Sequence, residues 1–241
     1  MNFITHISSY LYPVSVEKRK GTYLPVLEVN VRNGKYLLDG EKVNYSFGSL
    51  HELFRDAFKH HQIGQLSPQH VLILGFGAGS VAQILQNELH LNCKITGVEI
   101  DPVVLELATR YFGADAYQNT QLICDDAYHF ISQDTETYDL IVIDLFIEKR
   151  VPKAFLQADF IQLVKQRLNP LGTIFFNRIN DNPFQQEETK VLIDAMNEGL
   201  NGQLDIFNSH QNDTSNSVLV YRAAQLKGSH ALLQDELHCI A

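Results

Sequence analysis

The apolar positions of this chain change their period twice. Between Leu24 and Tyr45, Leu27, Val29 and Val31 alternate with polar residues, and Asn33-Gly34 and Asp39-Gly40 supply turn pairs of the hairpin kind. A small antiparallel sheet is predicted there. Residues 49–62 then set Leu50, Leu53, Phe54, Ala57 and Phe58 at helical spacing, an amphipathic helix that runs toward Pro68. Beyond it, strand-length apolar runs (VLILG, KITGVEI, TQLIC, YDLIVID, GTIFFNR) alternate with helix-patterned segments at 80–90, 102–111, 126–132, 155–168 and 185–199. Such alternation marks βαβ units, and runs that are apolar on both faces suit strands buried between two helical layers. Two more strands, near 203–208 and 217–222, are separated by the polar SHQNDTSN rather than by a helix, which predicts an antiparallel pair. The expected class is α/β: a seven-stranded, mostly parallel sheet with a small N-terminal antiparallel β subdomain. The predicted units are residues 1–66 (hairpins and linking helix), 67–226 (the parallel domain) and 227–241 (a tail helix).

Composition narrows the partners. The chain of 241 residues is 45% hydrophobic and carries a formal charge of −9, so a broad basic footprint for nucleic acid is not expected and a small-molecule ligand is. Cys93, Cys124 and Cys239 are widely spaced, with no paired motif, and the histidines form no HxxxH or HxH pair. Neither a disulfide framework nor a metal is expected. His60-His61 reads as a solvated helix end. The first residues lack a basic start followed by an apolar stretch, and no run is long enough to span a bilayer. The expectation is a cytoplasmic chain without membrane contact.

Chemistry concentrates where strands end. Gly75, Gly77 and Gly79 follow VLIL and precede a helix, so that backbone can approach a ligand closely. The GxGxG spacing, with Ser80 at the place of a third dinucleotide-type glycine, favours a nucleoside-type cofactor over NAD. Glu99 ends the second strand, where a carboxylate can accept from both hydroxyls of a ribose. Asp101 before Pro102 is a helix N-cap. The third strand ends at Asp125-Asp126-Ala127, and Asp126 is either a partner for an adenine amino group or a cap for the next helix. The fourth strand delivers Asp144 to the crevice beside the glycine turn, as a general base or as a charge that stabilises a cation.

The series VLILGFGAG, VEIDP, DDAYHFI and YDLIVIDLF resembles the spermidine synthase (polyamine aminopropyltransferase) family and its spermidine-synthase-like relatives. These share the Rossmann-like fold of the class I S-adenosylmethionine-dependent methyltransferases. Ile73, two residues before the first glycine, matches the aminopropyltransferase branch, whereas ordinary methyltransferases usually carry an acid there. LDG at 38–40 and His51-Glu52 extend the likeness, which covers residues 24–222. The resemblance implies S-adenosylmethionine or its decarboxylated form as co-substrate. It puts Gly75, Gly77 and Gly79 beside the methionine part, Glu99 at the ribose, Asp126 and Ala127 at the adenine, and makes Asp144 catalytic. It also implies a homodimer.

The polyamine half departs from the pattern. Ala78 stands where the family has an aspartate, Ile147 replaces a second carboxylate three residues after Asp144, and Leu50 replaces a tyrosine. Lys149 and Arg150 add positive charge to that loop, so a polycation is expected to be repelled. The leading expectation is therefore methyl or alkyl transfer from a sulfonium to an unknown small-molecule acceptor. The alternatives are a true aminopropyltransferase and a non-catalytic nucleoside-binding protein.

Overall fold

The computed structural model describes residues 3–41, 44–208 and 216–224. After helix α1 (Phe3–Ser8), strands β1 (Val14–Arg19), β2 (Leu27–Arg32), β3 (Lys35–Asp39) and β4 (Asn44–Ser46) form an antiparallel sheet in that order. Arg32 pairs with Lys35 across a two-residue loop in which Asn33 (φ 50°) and Gly34 (φ 74°) are both left-handed. That is the turn an Asn-Gly pair favours, because its twist matches the strands it joins. Leu27, Val29 and Val31 are fully buried, as their alternation predicts.

Helix α2 (Gly48–His60) buries Leu50, Leu53, Phe54, Ala57 and Phe58 and is followed by one turn, α3 (Ile63–Leu66). The main sheet comprises β5 (His70–Leu74), β6 (Lys94–Glu99), β7 (Thr120–Cys124), β8 (Tyr138–Ile143), β9 (Leu168–Ile179), β10 (Gly202–Asn208) and β11 (Asn216–Ala223). Its order is β10-β11-β9-β8-β5-β6-β7. The pairs between β9 and β7 are parallel, and β11 runs antiparallel to both neighbours. The seven-stranded, mostly parallel expectation thus holds, and β10 and β11 are antiparallel as expected. Helices α4 (Ser80–Gln83, continued as a π-helical turn over Ile84–Glu88), α5 (Pro102–Phe112), α6 (Ala127–Gln133), α7 (Ala158–Arg167) and α8 (Pro183–Gly199) cover the two faces.

Strand β5 explains why its run is apolar throughout. Val71 and Ile73 join the core beneath α2, α4 and α5, while Leu72 and Leu74 join the core beneath α6, α7 and α8. All four are fully buried, each side chain contributing about 1.5–3 kcal/mol of transfer free energy. Strands β6 and β8 flank β5 on either side, so the chain reverses direction of travel across the sheet there, and such a point opens a crevice at the carboxyl ends of the strands. The predicted helix at 227–241 lies outside the described residues. Among the described residues no helix is long and apolar enough to cross a membrane.

Candidate functional site

A cavity of about 500 Å³ lies at that crevice, lined from the ends of β5, β6, β7, β8 and β9 and closed by Tyr23, Leu24, Ser49 and Leu50 from the N-terminal region. Gly75 (φ 87°) makes the close approach possible: a Cβ there would sit 2.2 Å from the carbonyl oxygen of Asp144. No side chain fits that gap, and positive φ adds to the penalty. The Gly75 and Phe76 N–H groups both donate to the Val98 carbonyl at 2.9 Å, which pins the turn to β6. Gly75 and Gly77 line the cavity. Gly79 instead packs against Phe76 and Tyr117 at the start of α4 and is not among the lining residues.

Glu99 holds this turn from the next strand. Its Oε2 accepts from the Gly77 N–H at 2.9 Å and its Oε1 from the Asp101 N–H at 3.1 Å. Burial raises the Glu99 carboxyl above its ordinary range, while those two N–H groups pull it back. The Ile100 N–H adds to this pull, and the roughly four lone-pair sites of a carboxylate leave room for a ligand beside these donors. Asp101, fully buried, caps α5 through Oδ1 and the Val103 N–H at 3.0 Å, as its place before Pro102 predicts. Its Oδ2 accepts from the Tyr23 N–H at 3.0 Å, and this bond draws the N-terminal segment onto the cavity wall.

At the end of β7, Asp126 caps α6, with Oδ1 accepting from both the Tyr128 and His129 N–H groups. The capping alternative for Asp126 is therefore present, and Oδ2 remains for a ligand. Ala127, 4% exposed, opens the helix beside it. Asp125 is engaged by the His129 ring at 2.8 Å.

Asp144 follows β8 directly and is half-buried. Its Oδ1 accepts from Asn177 Nδ2 at 2.9 Å. Burial pushes its carboxyl up to about 7; the nearby Glu99 charge adds to the rise and the Asn177 amide opposes it. Asn177 is the residue that sequence reading missed. It is 1% exposed, lies near the end of β9 inside the run GTIFFNR, and its Oδ1 is buried without a hydrogen-bond partner. Its trace in the sequence is faint: Asn177 follows three apolar residues, Ile174, Phe175 and Phe176, and is itself followed by Arg178, whereas Asp144 follows four.

The far wall carries Phe146, Ile147, Glu148, Lys149 and Asp181. Ile147 and Arg150 exchange backbone hydrogen bonds, closing a tight turn in which Glu148 is left-handed (φ 53°). Lys149 Nζ sits 3.0 Å from Asp181 Oδ2, and the Arg150 guanidinium lies over the Phe184 ring and does not line the cavity. The positive charge that Lys149 and Arg150 add along the chain is outnumbered at the cavity wall. Among the described residues, Glu99, Asp125, Asp126, Asp144, Glu148 and Asp181 line the space against Lys149, which is paired with Asp181. Ala78 is fully buried below the turn, its N–H given to Ser46 Oγ at 2.7 Å.

The model of the Spermine/spermidine synthase domain matches residues 54–205. The chain belongs to this family. Among curated members it is similar to a polyamine aminopropyltransferase of Vibrio vulnificus, 28% identical over 170 residues, which span 69% of this chain and 54% of that one. The chain thus spans about half the length of that relative. Among solved structures it resembles a probable spermidine synthase from Corynebacterium glutamicum (TM-score 0.72, 16% identity, 91% of this chain and 84% of the other). It also resembles human methyltransferase-like protein 13 in complex with SAH (TM-score 0.59, 21% identity, 76% and 88% covered). At such identities these two structures speak to fold alone, and the fold is that of the methyltransferases. Within this spermidine synthase family member, the predicted residues Gly75, Gly77, Glu99, Asp126, Ala127 and Asp144 all border one cavity, and Gly79 stands behind it.

Proposed function

We propose that this chain is an aminopropyltransferase: it binds a decarboxylated S-adenosylmethionine-type sulfonium and moves the aminopropyl group to a small cationic amine. The supporting observation is the excess of carboxylates around the cavity, with a carboxyl near neutral pKa among them. A decarboxylated donor carries a sulfonium and an ammonium, and both suit such walls. The α-carboxylate of S-adenosylmethionine itself would meet like charge. In this reading Glu99 accepts from the ribose hydroxyls, Asp126 Oδ2 accepts from the adenine amino group beside Ala127, and Gly75 and Gly77 lie along the aminopropyl side.

The chemistry is a substitution at a carbon that the sulfonium already makes electrophilic. The amine needs a free lone pair, so Asp144 takes one of its protons; a carboxyl near 7 can both receive and release a proton at neutral pH. The C–S bond breaks as the C–N bond forms, and the leaving group is a neutral thioether nucleoside. Asn177 orients Asp144 through its amide N–H, and its unpartnered Oδ1 accepts from the incoming amine. Alignment of the two reactants supplies the remainder of the rate enhancement.

Methyl transfer from S-adenosylmethionine is the second reading, favoured by Leu50 and Ile147, which give the acceptor side two apolar contacts. Incubating the purified chain with each sulfonium and a panel of diamines, and following nucleoside release, separates the two. Methylthioadenosine formed only from the decarboxylated donor with a diamine is the expected result. No thioether with any diamine, or turnover of S-adenosylmethionine instead, overturns the proposal.

A further inference from the structure

Far from the cavity, the end of α2 meets the edge strand β10, and three ligating side chains converge there. We propose that His60, His61 and Asp205 bind a divalent transition-metal ion, with imidazole nitrogens from the first two and a carboxylate oxygen from the third. One ligand atom from each of the three lies within 4.8 Å of the other two. His61 is 7% exposed, and its ring is wedged edge-on against Phe175, with centroids 5.7 Å apart, and against Phe207 at 6.5 Å. Its Nε2 is buried and has no hydrogen-bond partner. The nearest acidic oxygen, Asp205 Oδ2, is 3.8 Å away, beyond hydrogen-bond reach.

A buried ring nitrogen without a partner is costly, and a metal resolves that cost by taking its lone pair. Bonds of about 2.0–2.2 Å in a tetrahedral site hold ligand atoms roughly 3.5 Å apart, so the three groups must close by up to about 1.3 Å. The movable members are on the surface: His60 is exposed, and the Asp205 side chain is 55% exposed. His61 is the fixed anchor. The cation facing this cluster is Arg222, whose guanidinium donates to the His61 carbonyl oxygen. Asp205 offsets its charge.

Two imidazoles and one carboxylate suit zinc, nickel, cobalt or copper rather than calcium or magnesium, which want oxygen ligands. None of the three residues lines the cavity, so the role is structural. The ion would clamp the C-terminal end of α2 to β10, while the N-terminal end of the same helix supplies Ser49 and Leu50 to the cavity wall. The spacing of the histidines alone hides such a site, because the third ligand comes from a strand far along the chain.

Chelator-treated, tag-free full-length chain should be titrated calorimetrically with zinc chloride, alongside His60→Gln and Asp205→Asn, both surface changes whose metal-free melting curves verify folding. The expected result is one zinc per chain, affinity at least tenfold weaker in each variant, a zinc-dependent rise in Tm lost in both, and no response to magnesium or calcium. Cobalt in place of zinc should give a visible absorption band in the wild type only. Absence of zinc binding, or equal binding by wild type and both variants through the other histidines, overturns the proposal.

Discussion

Asp144→Asn isolates what the raised carboxyl does. The amide has the same shape, and its Oδ1 still accepts from Asn177 Nδ2, so the local geometry survives. In the unfolded chain an aspartate titrates near ~3.9, whereas in the folded protein burial holds Asp144 at about 7. Between those values the folded state keeps a proton that the unfolded state has lost, so stability falls as pH rises through that window and levels off above it. About three pH units at 1.36 kcal/mol each give an upper value of about 4 kcal/mol. The Asn variant carries no such penalty. Urea unfolding at pH 8 should therefore find it more stable than wild type by up to about 4 kcal/mol, the gap shrinking to about 1.5 kcal/mol at pH 5. Transfer should fall by about 10²–10⁴-fold, the usual worth of a general base, with nucleoside binding retained. A variant that is less stable than wild type at pH 8, or a gap that does not change with pH, would refute the account of Asp144; undiminished turnover would remove its role as proton acceptor.

Asn177→Ala removes the amide that lowers the Asp144 carboxyl, so the acidic limb of the rate profile should move to higher pH as kcat drops; a profile unmoved on the pH axis rejects the coupling. For Glu99→Gln, the amide cannot accept from both the Gly77 and Asp101 N–H groups. Methylthioadenosine should bind at least tenfold more weakly by calorimetry, with about 1–3 kcal/mol of stability lost, and an unchanged Kd would dismiss the ribose assignment. Gly75→Ala must fit a methyl 2.2 Å from the Asp144 carbonyl at φ 87°, so denaturant titration should show a loss of about 3 kcal/mol or more; a neutral substitution would contradict the packing described.

Much of the molecule can be read one window at a time, because the forces involved act within a few residues. The two-faced burial of β5 is written in VLIL, the hairpin in Asn33-Gly34, the α5 cap in Asp101-Pro102, and the tip positions of Glu99, Asp126 and Asp144 in the residues that end apolar runs. Strand β1 escaped this reading: VSVEKR is mostly polar and half-exposed, and it is held by pairing with β2 rather than by burial of a regular face. The position of β11 between β9 and β10 is likewise a property of the sheet.

The site divides along the same line. Sequence by itself determined which carboxylates and glycines reach the carboxyl edge, since strand length and period set that locally. Tertiary structure decided what they face. Asn177 reaches Asp144 only because β9 lies beside β8, Tyr23 becomes part of the wall only through Asp101, and Lys149 is neutralised only by Asp181. Charges that look repulsive along the chain become pairs in space, because Coulomb energy depends on separation through the fold and not on separation in sequence.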